Sequence, residues 1–220
     1  MALKTNPAPT LELEHQLFNS GFNYVAGVDE VGRGALAGPV SVGVAVVSQT
    51  INTVPEKLRD SKLISKSVRE NLVPVLQNWV TDYAIGHASP QEIDDVGIIG
   101  ALRLAWQRAY AQLELKPDHV ILDGKHNWLI APDDLLSSTE IEVPVTMKIK
   151  ADQHCAAVAA ASVLAKVTRD QLMVEADRKY PEYGFAGNVG YGSSAHLAAI
   201  RDLGATDFHR RSWKLPTKNQ

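Results

Sequence analysis

Val25-Ala26-Gly27-Val28-Asp29-Glu30-Val31-Gly32-Arg33-Gly34 is the stretch around which the chain is organised. Its first half is short, apolar and β-branched, and predicts a buried strand over residues 24–29. The strand delivers two adjacent carboxylates, then a glycine loop with one arginine. Carboxylates at the end of a buried strand cost desolvation free energy unless a cation pairs with them, and neighbouring anions repel. A bound cation answers both problems. The glycines leave backbone N–H groups open to an anion, and Arg33 adds a fork-shaped donor set suited to phosphate. A cation site beside an anion site points to metal-assisted chemistry on a phosphate ester. Neighbouring strand residues point to opposite faces. Asp29 and Glu30 therefore serve one site only if the strand stops or bulges there, which Gly32 and Gly34 make feasible.

Downstream, Gly38-Pro39 leads straight into a second β-branched run, 40–47. Short Gly/Pro-rich linkage between two strands implies an antiparallel hairpin. It also disposes of a dinucleotide-binding reading of Gly32-x-Gly34-x-x-x-Gly38. That motif has a different spacing and must open a helix.

Residues 11–18 predict a short helix. Asp60-Ser61-Lys62 sits in a polar loop before an amphipathic helix over 65–79, with Ser65 or Ser67 as N-cap. A third strand is expected at 83–88. Ser89-Pro90-Gln91-Glu92 then carries the Ser, Pro and Glu of a capped helix start, and a longer helix follows at 98–113. Strands are expected at 119–123 and 144–149, an alanine-rich helix at 154–179 and a last helix at 193–203. This order predicts an α/β fold, a mixed sheet covered by helices in one domain. Residues 1–10 read as a loose tail and 214–220 as a second one.

The 220 residues are enough for one well-packed domain. A single cysteine, Cys155, excludes an internal disulfide and fits a reducing compartment. There is no zinc-type spacing, no nucleophile elbow and no apolar signal core at the N-terminus. The apolar stretch 155–165 is far short of the ~20 residues that span a bilayer. The expectation is a soluble, cytoplasmic protein with no membrane partner. A net charge of −3 rules out a strongly basic nucleic-acid coat but leaves room for a local basic groove. Two basic groups stand out, one of Lys148, Lys150, Lys166 and Arg169, the other near the C-terminus.

Asp29, Glu30, Asp123 and Asp152 each fall where a strand ends or a helix begins. Singly, each has an ordinary reading: a turn at Asp123-Gly124, a helix N-cap at Asp152, surface residues at Asp29 and Glu30. Together, carboxylates at neighbouring strand ends suggest one site, because ligands bind beyond such ends. An oxygen-only site favours Mg²⁺ or Mn²⁺ over zinc. Two such ions can clamp the attacking and leaving oxygens of a phosphodiester.

These motifs, with Ala37-Gly38-Pro39-Val40, Asp60-Ser61-Lys62, Leu122-Asp123-Gly124, Lys150-Ala151-Asp152, the run Ala159 to Asp170, Gly190-Tyr191-Gly192 and His209-Arg210-Arg211-Ser212, resemble bacterial ribonuclease HII, of the type 2 ribonuclease H family. The resemblance spans residues 11–213 as one catalytic domain. It implies a ribonuclease H-like fold with a five-stranded mixed sheet flanked by helices. It implies a monomeric endonuclease that cuts the RNA strand of RNA–DNA hybrids and incises 5′ of single ribonucleotides in duplex DNA, leaving 3′-hydroxyl and 5′-phosphate ends. Two divalent ions, Mg²⁺ or Mn²⁺, are implied, as are roles in ribonucleotide excision repair and primer removal. Asp29, Glu30, Asp123 and Asp152 match the family's metal-binding acids. Gly32, Arg33 and Gly34 match the loop that reads the ribose 2′-hydroxyl, and Tyr191 the tyrosine that stacks on the neighbouring sugar. Lys62, Lys166 and Arg169 are expected as phosphate contacts, with a salt bridge to a core acid as the alternative for Arg169. Two departures are Val189, where many relatives carry lysine, and Lys-Ala-Asp for the common Lys-Gly-Asp. The rival functions are another metal-dependent nuclease of this fold without 2′-hydroxyl selectivity, and a non-catalytic hybrid-binding module.

Overall fold

A computed structural model describes residues 8–130 and 141–218. The expected tails lie outside the described residues at 1–7 and 219–220. The hairpin forms as the Gly-Pro linkage demands: β1 (Tyr24–Val31) runs antiparallel to β2 (Val40–Ser48), with Asp29 opposite Gly43. β3 (Asp82–Ala88) adds antiparallel to β2. On the other side, β4 (His119–Asp123) lies parallel to β1 and β5 (Val145–Lys148) parallel to β4. The mixed sheet has the order β3-β2-β1-β4-β5, with the hairpin strand β1 at its centre.

Because side chains alternate along a strand, the sheet divides its apolar residues between two cores. Val25, Ala45, Val47 and Ile121 pack under the alanine-rich helix α5 (Ala156–Lys179), joined by α1 (Glu12–Asn19) and α2 (Lys66–Trp79). Ala26, Val28, Val44, Val120 and Leu122 pack on the opposite face against Leu102, Ala105, Trp106 and Ala109 of α3 (Pro90–Gln112). α3 begins with the expected Ser89–Glu92 capping box and bends at Gly97, which takes φ 71°. Gly97 is not helical, so the stretch is two helical segments meeting at a kink, in line with the separate start expected at 89–92 and the longer helix at 98–113.

The approach of α5 to the sheet is unusually close. A Cβ on Gly27 would lie 2.2 Å from the backbone carbon of Ala157, and one on Gly43 would lie 2.4 Å from the carbonyl oxygen of Ala161. Glycine in the strands and alanine in the helix are needed together.

The helix expected over 154–179 runs from Ala156 to Lys179, and a separate short helix precedes it. α4 (Ala151–His154) ends at Cys155, whose backbone is extended, and α5 starts afresh. Thr10 fills the break: its N–H donates to the His154 carbonyl at 3.0 Å and its carbonyl accepts from Ala156 at 2.9 Å. Packing thus begins inside the segment expected as tail. Buried Glu14 accepts the Ala157 N–H at 2.9 Å, satisfying one of the open donors at the start of α5. Beyond α5, α6 (Phe185–Asn188) and α7 (Ser194–Leu203) enclose a third small core with Met173 and Ile200. α6 was not expected; four residues are too few for a periodic signal. Among the described residues no helix is long and apolar enough to cross a membrane.

Gly27→Ala is expected to lower stability by about 3 kcal/mol in urea unfolding, because neither backbone can yield. Gly34→Ala, where an added Cβ meets nothing within 4 Å, should leave the midpoint unchanged to within about 0.5 kcal/mol.

Candidate active site

The strand rim beyond β4 gathers the acids. β1 and β4 pair as far as Val28 opposite Leu122. One residue further on each strand stand Asp29 and Asp123, on the α5 side of the sheet. Strand β1 neither stops nor bulges there, contrary to expectation. It stays in register with β2 through Val31 opposite Ser41. Asp29 therefore faces α5 and is 2% exposed, whereas Glu30 turns to the other face and is half-buried. They can still act together because β4 ends beside them, leaving an open rim in place of a distorted strand.

Asp123 Oδ1 accepts the Ala151 N–H at 2.7 Å, which ties the β4 end to α4 and to buried Asp152. Asp152 was read as a helix N-cap, but that place falls to Lys150, in the left-handed conformation (φ 58°), and Asp152 sits in the first turn. The positive φ falls on Lys150, so alanine at 151 in place of glycine strains nothing at its own position.

Burial pushes the Asp29 carboxyl up to about 8; the Ser162 hydroxyl works against this, and the Glu30 charge adds to it. Burial also raises Glu30, opposed by Arg33 and helped by Asp123. Asp152 is raised by burial and by Asp60 and Asp123. Lys62 offsets part of this repulsion, with Nζ 3.4 Å from Asp152 Oδ2. Burial disfavours the Lys62 ammonium, but Asp29, Asp152 and Asp60 outweigh that and raise its pKa. Asp29 Oδ2 is buried with no hydrogen-bond partner among the described residues. No group of three His, Cys, Asp or Glu side chains is drawn together as a preformed metal cage among those residues. The donor set is nevertheless all oxygen, is crowded with negative charge and includes an unsatisfied carboxylate oxygen, which suits a hard divalent ion.

A cleft of about 440 Å³ opens beside the acids. Asp29, Glu30, Gly32, Arg33, Gly34, Lys62, Lys166 and Tyr191 line it, together with Ser61. Ser61 shares a buried hydrogen bond with Ser162, 2.9 Å. Arg33 pairs with Glu30 at 3.2 Å and remains half exposed. Lys166 reaches the cleft, but Asp170 holds its ammonium at 2.7 Å.

Arg169 departs from both expectations. It is fully buried, away from any phosphate-facing surface, and among the described residues it forms no salt bridge. Its guanidinium donates to the carbonyls of Pro39 (2.8 Å), Val189 (2.9 Å) and Ala37 (3.2 Å). Its Nε would lie 2.0 Å from a Cβ on Gly32, which also has φ 83°. Glycine is thus required at 32 twice over. Val189 takes φ 45°, uncommon for a β-branched residue, and its side chain packs into the third core, so no cation stands there.

Several contributors were missed in the sequence. Arg210 is fully buried under the glycine loop, donating to Gly32, Arg33 and Gly38 carbonyls. His209 and His196 form a buried pair, Nε2 to Nε2 at 3.1 Å. Thr206 donates its N–H to His209 Nδ1, so His209 carries its proton on Nε2 and passes a hydrogen bond to His196. His196 Nδ1 then donates to the Tyr191 carbonyl at 2.8 Å. Burial, the neighbouring His196 and Arg211 push His209 down to about 4, which keeps this chain neutral. The His-Arg-Arg-Ser motif was the available signal, but a basic run reads as solvated surface until its partners are known.

A ribonuclease HII family model matches residues 26–216. A ribonuclease HII of Streptomyces avermitilis is 48% identical over 93% of this chain and 83% of its own length. Among solved structures, the ribonuclease H2 of Pyrococcus horikoshii OT3 superposes with a TM-score of 0.69 at 30% identity, over 87% of this chain and 94% of that one. Bst-RNase HIII in complex with Mn²⁺ has a TM-score of 0.65 at 20% identity, over 90% and 68%, and shares the fold. Fold and rim thus define a hydrolase of the ribonuclease H type. Within that class, the chain belongs to the ribonuclease HII family.

An Asp29 carboxyl titrating near 8 is protonated at neutral pH when no cation is bound. Its folded-state pKa lies above the unfolded one, so its contribution to metal-free stability is complete below about pH 4 and is lost as pH rises through 8. Mn²⁺ binding should therefore release close to one proton per site at pH 7, and binding should strengthen with pH up to about 8. Calorimetric titration in two buffers of different ionisation enthalpy measures this directly.

Proposed function

We propose that this protein is a metal-dependent endonuclease that hydrolyses the RNA strand of RNA–DNA hybrids and incises 5′ of single ribonucleotides in duplex DNA, leaving 3′-hydroxyl and 5′-phosphate ends. The carrying observation is the buried, unpartnered Oδ2 of Asp29 at a rim shared with Asp123, beside a cleft walled by the glycine loop. Asp29, Glu30, Asp123 and Asp152 would hold two ions, Mg²⁺ or Mn²⁺. Bound there, the ions supply the Lewis acidity that activates a water and stabilises the leaving 3′-oxygen.

The chain's own groups do the rest. The 2′-hydroxyl is what separates RNA from DNA, and backbone groups of Gly32, Arg33 and Gly34 can meet it without side-chain crowding. Tyr191, partly exposed on the cleft, offers its ring face to the neighbouring sugar. Arg33 and Lys62 present exposed cationic ends to solvent while their carboxylate partners, Glu30 and Asp152, are largely covered, so each cation can meet a phosphate without being desolvated first. Lys166 supplies a further positive charge at the wall.

The decisive assay compares a labelled duplex holding one ribonucleotide with its all-DNA twin, with and without EDTA. Cutting confined to the ribonucleotide duplex and abolished by EDTA is expected; cutting of the twin would point to a nuclease without sugar selectivity. Asp29→Asn should reduce the rate by about a thousandfold. It should leave the metal-free melting temperature equal or higher, because a desolvated carboxyl has been replaced by an amide of the same shape. Gly34→Ala should slow cutting at the single ribonucleotide by about tenfold, the worth of one well-aimed hydrogen bond.

A further inference from the structure

Two guanidinium groups lie fully buried beneath the cleft wall, and among the described residues neither forms an ion pair. A buried cation is costly unless its donors are satisfied. Here backbone carbonyls satisfy them. Arg210 donates to Gly32 at 2.6 Å, Arg33 at 2.9 Å, and Gly38 at 3.1 and 3.2 Å. Arg169 donates to Ala37, Pro39 and Val189. All six carbonyls belong to the glycine loop or to the turn that presents Tyr191.

The consequence follows from the planarity of the trans peptide. The C=O of one residue and the N–H of the next point in opposite directions. With the Gly32 and Arg33 carbonyls drawn inward by Arg210, the N–H groups of Arg33 and Gly34 point outward. Neither meets a backbone acceptor among the described residues, and both residues line the cleft. A short glycine loop would otherwise be free to flip these peptide planes.

We infer that Arg210 is a positioning residue for sugar selection: from behind the loop it aims two backbone N–H donors at the ribose 2′-hydroxyl and the adjacent phosphate, with Arg169 bracing the next turn. This rests on the ribonuclease reading above. The role needs a fork rather than a charge. A planar guanidinium can reach three carbonyls at once, whereas a lysine ammonium is a compact point donor. Arg210→Lys therefore keeps the buried charge and loses the aim.

The test is equilibrium binding in Ca²⁺, with cleavage monitored on the same samples, to a duplex carrying one ribonucleotide and to its all-DNA twin. The readout is the ratio of the two affinities. A misfolded fraction lowers both equally and cancels in that ratio, so a purely structural role cannot move it. Wild-type protein is expected to prefer the ribonucleotide duplex, and Arg210→Lys to reduce that preference about tenfold. Arg169→Lys should move the ratio in the same direction, and it decides the matter should Arg210→Lys not fold. An undiminished preference in the variant that folds overturns the inference and leaves the ribonuclease reading standing. Absence of preference in the wild type overturns both.

Discussion

Helix α5 rests on the sheet almost backbone to backbone, and the arrangement of the strand rim follows from that contact. Gly27 and Gly43 give the helix its seat, and the backbone of Ala157 and Ala161 meets them, with no side chain larger than a methyl to hold the layers apart. Gly43 is also the cross-strand partner of Asp29, so the space beside the acid on the β2 side carries no side chain. The helix brings Ser162 over Asp29, and Ser162 in turn anchors Ser61 of the loop that carries Lys62. The break at Cys155, held open by Thr10, lets α4 turn away and set Asp152 beside the β4 end. Had the helix run straight from 151, it could not have done both.

The resulting electrostatics divide the site in two. On one side, burial and mutual repulsion raise the pKa of Asp29, Glu30 and Asp152. On the other, Arg169 and Arg210 leave two cations under the glycine loop. Arg33 and Lys62 span the boundary, their own ends exposed and paired at 3.2 and 3.4 Å with the largely covered carboxylates of Glu30 and Asp152. The firmer Lys166–Asp170 pair lies further along α5, where both side chains are largely covered.

Much of the fold was legible because the relevant physics is local. The β-branched runs, the Gly38-Pro39 linkage that forces a hairpin, and the Ser89–Glu92 capping box each act within a few residues. All were found close to their expected bounds. The acids and the glycine loop were legible for a related reason: carboxylates at the end of an apolar strand signal a site wherever the strand goes. Arg169 was misread for the converse reason. A guanidinium on a helix looks the same in sequence whether it faces a phosphate or three carbonyls from two other segments.

By itself, then, the sequence determined the elements, the hairpin and which residue types carry the chemistry, since these depend on spacing and side-chain character along a few turns of chain. Only the tertiary structure decided that Asp29 and Asp123 are neighbours across β1 and β4. Only it revealed that Asp29 and Glu30 face opposite ways without a bulge, that Asp152 sits inside a separate short helix, and that Arg210 and the His196–His209 pair support the cleft from behind. Those outcomes depend on strand order, on how closely α5 can approach the sheet, and on which buried donors find acceptors. They are settled largely by groups distant along the chain meeting in a space from which water is excluded.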